Sequence, residues 1–147
     1  MKRIISILIL ILIIVVIGIS GCTSNASNSY YLTPISQADA PSYIASCTQP
    51  SLAELIKNPN SFTDQKIKVT GTIFQITQNN DSTTYILLDT PQTTSYTDRV
   101  FITYGGKTSF VKGDKITAYG VDGGSYSYKS VEGYSITLPF LKAVYIT

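Results

Sequence analysis

Hydrophobic positions divide the chain into three regimes. From Ile4 to Ile19 every residue is apolar except Ser6 and Gly18. Residues 23 to 42, TSNASNSYYLTPISQADAPS, show no apolar period and hold two prolines. From Tyr43 onward, apolar and polar positions alternate over short stretches. This part amounts to about a hundred residues, the usual size of one domain. It opens on a helical pattern, PSLAELIKNPN. Ser51 stands as N-cap with Glu54 three residues on, a capping box. Leu52, Leu55 and Ile56 fall on one face, and Pro59 ends the helix.

The remainder reads as strands. In QKIKVTGTIFQITQ, residues 65 to 78, Ile67 and Val69 alternate with Lys66, Lys68 and Thr70. After Gly71 the phase becomes ambiguous, since Ile73 continues it while Phe74 and Ile76 begin the opposite one. A glycine at such a phase change predicts a bulge or a sharp coil. Asn79, Asn80 and Asp81 signal a hairpin turn. The second strand, 83 to 89, is apolar on both faces, and the third is RVFITY, 99 to 104. A Gly113-Asp114 turn precedes a fourth strand with Ile116 and Ala118 inward and Thr117 and Tyr119 outward. The stretch VDGGSYSYKSVEG then reads as a loop to a fifth strand, 134 to 147, which Pro139 breaks in two or places at an edge.

One helix followed by five strands, the first long and coiled, fits a closed barrel. An open sheet would leave edges that this apolar pattern does not tolerate. The predicted fold is therefore all-β, a five-stranded OB-fold-like Greek-key barrel with one short N-terminal helix. The helix usual between the third and fourth strands would have to fit in GGKTSFVKGD, which is too short for it. An SH3-like barrel or a small β-sandwich is the alternative.

The N-terminal apolar run follows Lys2 and Arg3 and ends in Ser20, Gly21 and Cys22. A charged start, an apolar stretch and small residues before a cut describe a secretory signal. The tetrapeptide ISGC resembles the lipobox of secreted lipoproteins. That resemblance implies cleavage before Cys22 and attachment of lipid to its sulfur. The alternative is an uncleaved anchor, although the run is shorter than the ~20 residues of a span. Either way, the two cations hold the start in the cytoplasm and put the rest outside. The expected division is a signal peptide over 1–21, lipidated Cys22 and a flexible tether over 22–42, and a domain over 43–147. The expected location is extracytoplasmic, anchored to the cell membrane.

Removing the signal changes the charge. The chain has 11 basic and 9 acidic residues, and without Lys2 and Arg3 the two signs balance. Non-specific nucleic-acid binding rests on a basic surface, so that driving force is weak here. If Cys22 carries lipid, Cys47 has no partner within the chain. A buried thiol is then expected, with an intermolecular bridge as the other reading. The chain has no histidine, which excludes Ser-His and Cys-His nucleophile pairs and histidine metal sites. No phosphate loop or nucleophile elbow is present. Asp81, Asp89, Asp98, Asp114 and Asp122 sit in or beside turns, where aspartate serves local hydrogen bonds. No enzymatic activity and no cofactor are expected.

Several stretches together resemble a known family: YIASCTQPSLAELIKNPNSFTDQKIKVTGTIFQI, VFITY, FVKGDKITAYGV and SYKSVEGYSITLPFLKAVYI. They look like OB-fold domains of secreted and lipid-anchored prokaryotic proteins, relatives of the nucleic-acid-type, tRNA-anti-like OB domains. The resemblance runs from Tyr43 to Ile146. It rests on Cys47, Asn58-Pro59, KVTG, GD, YG, Gly133 and Pro139. It implies the fold and carries no settled activity. It also implies a framework role for Tyr128, while Tyr126 and Tyr134 fall outside its pattern.

OB-folds hold oligonucleotides or oligosaccharides on the face of strands two and three, flanked by two loops. Phe74, Tyr85 and Phe101 map to that face, and Asn79, Asn80, Tyr126 and Lys129 to the loops. Half of all strand positions face inward. Phe74, Phe101 and Tyr119 are accordingly expected to serve the core or to close the barrel ends. Tyr85, Tyr126, Lys129 and Tyr134 are the ligand-binding candidates. The expected partners are the membrane, through Cys22, and an extended glycan, peptide or single-stranded nucleic acid. An envelope protein partner without a small ligand is the other reading.

Overall fold

The computed structural model describes residues 30–95 and 98–147. The expected signal segment and Cys22 lie outside the described residues. Two short helices come first, α1 (Ala40–Ala45) and α2 (Leu52–Lys57). Five strands follow: β1 (Lys66–Gln78), β2 (Thr84–Asp89), β3 (Val100–Tyr104), β4 (Lys115–Lys129) and β5 (Ser135–Ile146). They close into a barrel in the order β1-β2-β3-β5-β4. All neighbouring pairs are antiparallel except β3 with β5. This is the Greek-key OB-type barrel expected from the alternation.

Closure depends on β1, which serves two neighbours. Lys66 to Thr72 pair with β4, and Thr72 to Gln78 pair with β2. A strand that changes partner midway must coil, and Gly71 lies at the change. A Cβ there would overlap the Asp89 carbonyl and crowd Leu88, so β2 crosses the backbone at close range. The phase change itself falls later than expected, at a register shift between Ile73 and Gln75. Phe74 is the extra residue and is turned out of the barrel.

Inside, Ile67, Val69 and Ile73 meet Ile86, Leu88, Val100, Ile102, Ile116, Ala118, Leu141 and Ala143. Burying each large aliphatic chain contributes about 1.5–3 kcal/mol. The capping box of α2 forms as expected: Glu54 N donates to Ser51 Oγ at 3.2 Å, and Ser51 N donates to Glu54 Oε2 at 2.7 Å. The Ser51 N–H and the Ser51 hydroxyl, each donating to Glu54 Oε2 at 2.7 Å, hold the Glu54 carboxyl below its usual range. Leu52 and Leu55 join the core, whereas Ile56 is exposed.

Two departures matter for function. The stretch read as a loop after β4 is strand: β4 runs through Lys129 and pairs with β5 from Ser125↔Pro139 to Lys129↔Ser135. Pro139 neither breaks β5 nor lies at an edge. It sits beside the irregularity between Asp122 and Ser125, where a missing N–H is tolerated. The second departure is at the start. The tether was expected to reach residue 42, but from Tyr30 the chain already lies against the barrel. Thr103 Oγ1 donates to the Tyr30 carbonyl. Ile35 N donates to the Val144 carbonyl at 2.9 Å. α1 then precedes the one helix expected.

Candidate ligand-binding groove

Alternation decides which aromatics reach the surface. Phe101 lies between Val100 and Ile102, both core residues, and therefore points outward. Tyr85 lies between buried Thr84 and Ile86 and does the same. Their rings are near parallel, 4° apart with centroids 6.1 Å apart. Phe101 was expected in the core. It lies outside because β3 gives its inward positions to Val100 and Ile102.

Tyr126 and Tyr128 arrive by a parity change. Ile116 and Ala118 face the core, and Asp122 pairs with the core residue Leu141. Regular alternation would send every even residue of β4 inward. Between Asp122 and Ser125, however, β4 spends three steps while β5 spends two. One extra residue shifts every later side chain to the other face. Tyr126 thereby lands over Phe101, with centroids 4.4 Å apart, and Tyr128 follows at 6.3 Å from Tyr126. Gly124 supplies the positive φ of 76° that the bulge needs. Gly123 leaves room for Phe140, whose ring would lie 2.5 Å from a Cβ at that position.

Asp122 anchors the same bulge from beneath. Its N–H donates to the Gln65 carbonyl and its own carbonyl accepts from Asp64 N, each at 2.9 Å. Its Oδ2 accepts from Gly124 N at 3.1 Å. The carboxyl is buried, and burial pushes it up to about 6. The Gly124 N–H opposes that rise, Asp64 adds to it and Lys142 opposes it.

The result is an open groove on the outer face. One part, about 300 Å³, is lined by Gln75, Thr77, Tyr85, Ile86, Leu87, Phe101, Tyr126 and Tyr128. A second part, about 590 Å³, shares Tyr85, Phe101 and Tyr126 and adds Tyr30 and Tyr31. Among the described residues, none that lines either part is charged. Both fall near the size range of ligand clefts, ~300–1,000 Å³.

Of the four candidates, Tyr85 and Tyr126 are brought together here. Lys129 is not. It pairs with Ser135 on the face of the hairpin that also carries Ser127 and Thr137, whose hydroxyls are 2.7 Å apart. Tyr126 and Tyr128 occupy the opposite face. Tyr134 lies in the turn that Ser130 N closes on its carbonyl at 2.8 Å; it is 66% exposed and lines neither part of the groove. The reading of the residues mapped Phe101 to this face but favoured the core for it, gave Tyr128 a framework role, and did not single out Phe140 or Tyr30. For Phe101, strict counting from Ile102 would have found the outward face. For Tyr128 the signal was the Gly-Gly pair before it.

The other aromatics have different surroundings. Phe74 lies beneath Arg99, whose guanidinium carbon is 3.5 Å from the ring centroid, with Lys112 Nζ at 5.2 Å. Arg99 also pairs with Asp89 at 2.7 Å. Phe74 is thus an outward cation–π platform and not core. Tyr119 also faces outward, beside Tyr145 at 6.2 Å. Cys47 is half-buried, its thiol donating to the Tyr43 carbonyl at 3.3 Å. Burial raises the thiol, against the pull of Lys66 and Lys68. Another hollow, about 560 Å³, lies between α2 and β1, with Glu54, Lys68 and Lys115 in its walls. Among the described residues no cluster of acids and cysteines suits a metal, and no helix is long and apolar enough to cross a membrane.

No protein-family model and no curated protein matches the chain. Similar solved structures include the aspartyl-tRNA synthetase from Entamoeba histolytica, at 9% identity and a TM-score of 0.43, covering 82% of this chain and 25% of that one. A chain described as an aspartyl-tRNA synthetase from Leishmania major Friedlin matches at 9% identity and a TM-score of 0.41, over 79% of this chain and 22% of that one. The chain thus spans a quarter or less of their length.

Proposed function

We propose that this chain is a membrane-anchored binding protein whose barrel holds a segment of a neutral glycan, without transforming it. The observation that carries the reading is the uncharged groove in which Tyr85, Phe101, Tyr126 and Tyr128 share one outer surface. Sugar rings have apolar faces and hydroxyl rims. Tyrosine matches both, with a flat apolar body and a polar tip. Gln75 and Thr77 add hydrogen-bonding groups along one side. A nucleic acid would need cations beside its phosphates, and among the described residues the lining offers none. Anchoring rests on the Cys22 motif and places the groove outside the membrane.

The test is calorimetric titration of the detergent-solubilised full chain with chitohexaose, cellohexaose, a neutral peptide and an oligothymidylate. One of the sugars binds, with an affinity that does not change as salt is raised. Phe101→Ala and Tyr126→Ala each weaken it about fivefold or more, the equivalent of losing roughly 1 kcal/mol of stacking. Binding of the oligothymidylate alone, weakening steeply with salt, overturns the glycan reading. Binding of the peptide alone also overturns it.

A further inference from the structure

The groove does not end with the barrel strands. Residues 30–35 form a strap attached to the barrel at several points, and Tyr30 and Tyr31 at its start line the groove. Thr103 is fully buried on the outer side of β3, and its hydroxyl is taken up by the Tyr30 carbonyl. The Leu32 carbonyl lies so close to Gly105 that a Cβ there would overlap it, and Pro34 packs within 3.3 Å of the Cβ position of Gly106. Ile35 N bonds the Val144 carbonyl at 2.9 Å. A strap serving only as cover would bury its largest side chains. Here Tyr30 stays 62% exposed while its ring stands edge-on to Tyr126, 6.2 Å away at 88°, and 6.3 Å from Phe140.

Resting on the glycan reading above, we propose that this strap builds a second subsite, and that Tyr30 contacts the next sugar of the same chain. The first subsite lies between Tyr85, Phe101, Tyr126 and Tyr128, the second between Tyr30, Tyr31 and the shared Tyr85, Phe101 and Tyr126. The second is the larger, about 590 Å³ against about 300 Å³, so a ligand confined to the first would leave most of the groove empty. The described walls of both subsites are uncharged, so the same neutral polymer suits both. The strap thereby makes the groove a reader of chain length.

The experiment compares chitobiose with chitohexaose, and cellobiose with cellohexaose, on the detergent-solubilised full chain and on Tyr30→Ala and Tyr126→Ala variants. The Ile35 amide is followed by hydrogen exchange to report whether the strap stays docked. In the unaltered protein the hexamer of the bound series binds about tenfold tighter than its dimer, as one further stacked ring would give. Tyr30→Ala removes most of that gain, weakens the dimer far less than the hexamer and keeps the Ile35 amide protected. Tyr126→Ala, by contrast, weakens both lengths. If Tyr126→Ala weakens binding while Tyr30→Ala retains the full gain with length, the second subsite is wrong and the first stands. If no sugar binds the unaltered protein, the groove reading falls and the ligand role of Tyr30 falls with it. Should Tyr30→Ala expose the Ile35 amide, Tyr30→Leu supplies the control: it keeps the apolar bulk, and a gain with length that survives in it overturns the assignment.

Discussion

At the scale of single residues, Asp122 is the most consequential polar group in the barrel. It is buried at the turn of β4 that aims Tyr126, and burial lifts its carboxyl from an ordinary value of 3.8 to about 6. The unfolded chain releases this proton earlier than the folded one. The contribution of Asp122 to stability is therefore greatest below pH 3.8 and is lost as pH rises through about 6. Asp122→Asn keeps an acceptor for Gly124 N and removes the titration. At neutral pH the variant is expected to be about 1–3 kcal/mol more stable than the natural protein, the difference shrinking toward pH 4. Urea unfolding across that range reads it directly. A variant less stable at pH 7 would show that the charged carboxylate, not merely an acceptor, is needed in the bulge.

At the scale of elements, one inserted residue determines what the barrel presents. Without the extra step between Asp122 and Ser125, Tyr126 and Tyr128 would face with Ala118 and not with Phe101. Deleting Gly124 alone is expected to leave a cooperative but less stable fold that has lost probe binding. Thermal melting and titration together check this, and a deletion variant that still binds as tightly would mean the bulge does not aim the tyrosines. The same step explains what was legible in the sequence. The presence of five strands and of the capped helix could be read from the hydrophobic pattern, because positions such as Ile67, Val69, Ile116 and Ala118 face inward in plain register. The face of Tyr126 could not, because parity after a bulge depends on how many residues its partner spends, and β5 carries that information. Gly123 and Gly124 marked the place but looked like loop residues. Lys129 was misassigned for the same reason: read in a loop it is near Tyr126, whereas on a strand an odd separation puts it on the opposite face. Tyr30 was missed because its stretch has no apolar period; what holds it is backbone hydrogen bonding and the absence of side chains at Gly105 and Gly106.

At the scale of the whole molecule, the docked strap shortens the slack between barrel and N-terminus. A tether reaching to residue 42 would let the domain wander, but a chain held from Tyr30 leaves only residues 23 to 29 between Cys22 and the groove. Eight steps of roughly 3.3–3.6 Å reach less than about 30 Å when fully extended. If Cys22 carries the lipid, the groove is confined to a thin layer next to the membrane, and its ligand must be found there. Confinement also raises the effective concentration of a surface polymer, so a modest affinity for each sugar suffices. Cys22→Ser tests the premise. With the lipid site removed, the protein is expected to leave the membrane fraction or to accumulate as a heavier, uncleaved precursor, while probe binding by the solubilised protein is unchanged. Mass measurement of the N-terminus and fractionation of cells distinguish the two. A Cys22→Ser protein that matures to the same N-terminus and stays in the membrane would show that something other than this cysteine holds it, and the distance argument for the ligand would no longer apply.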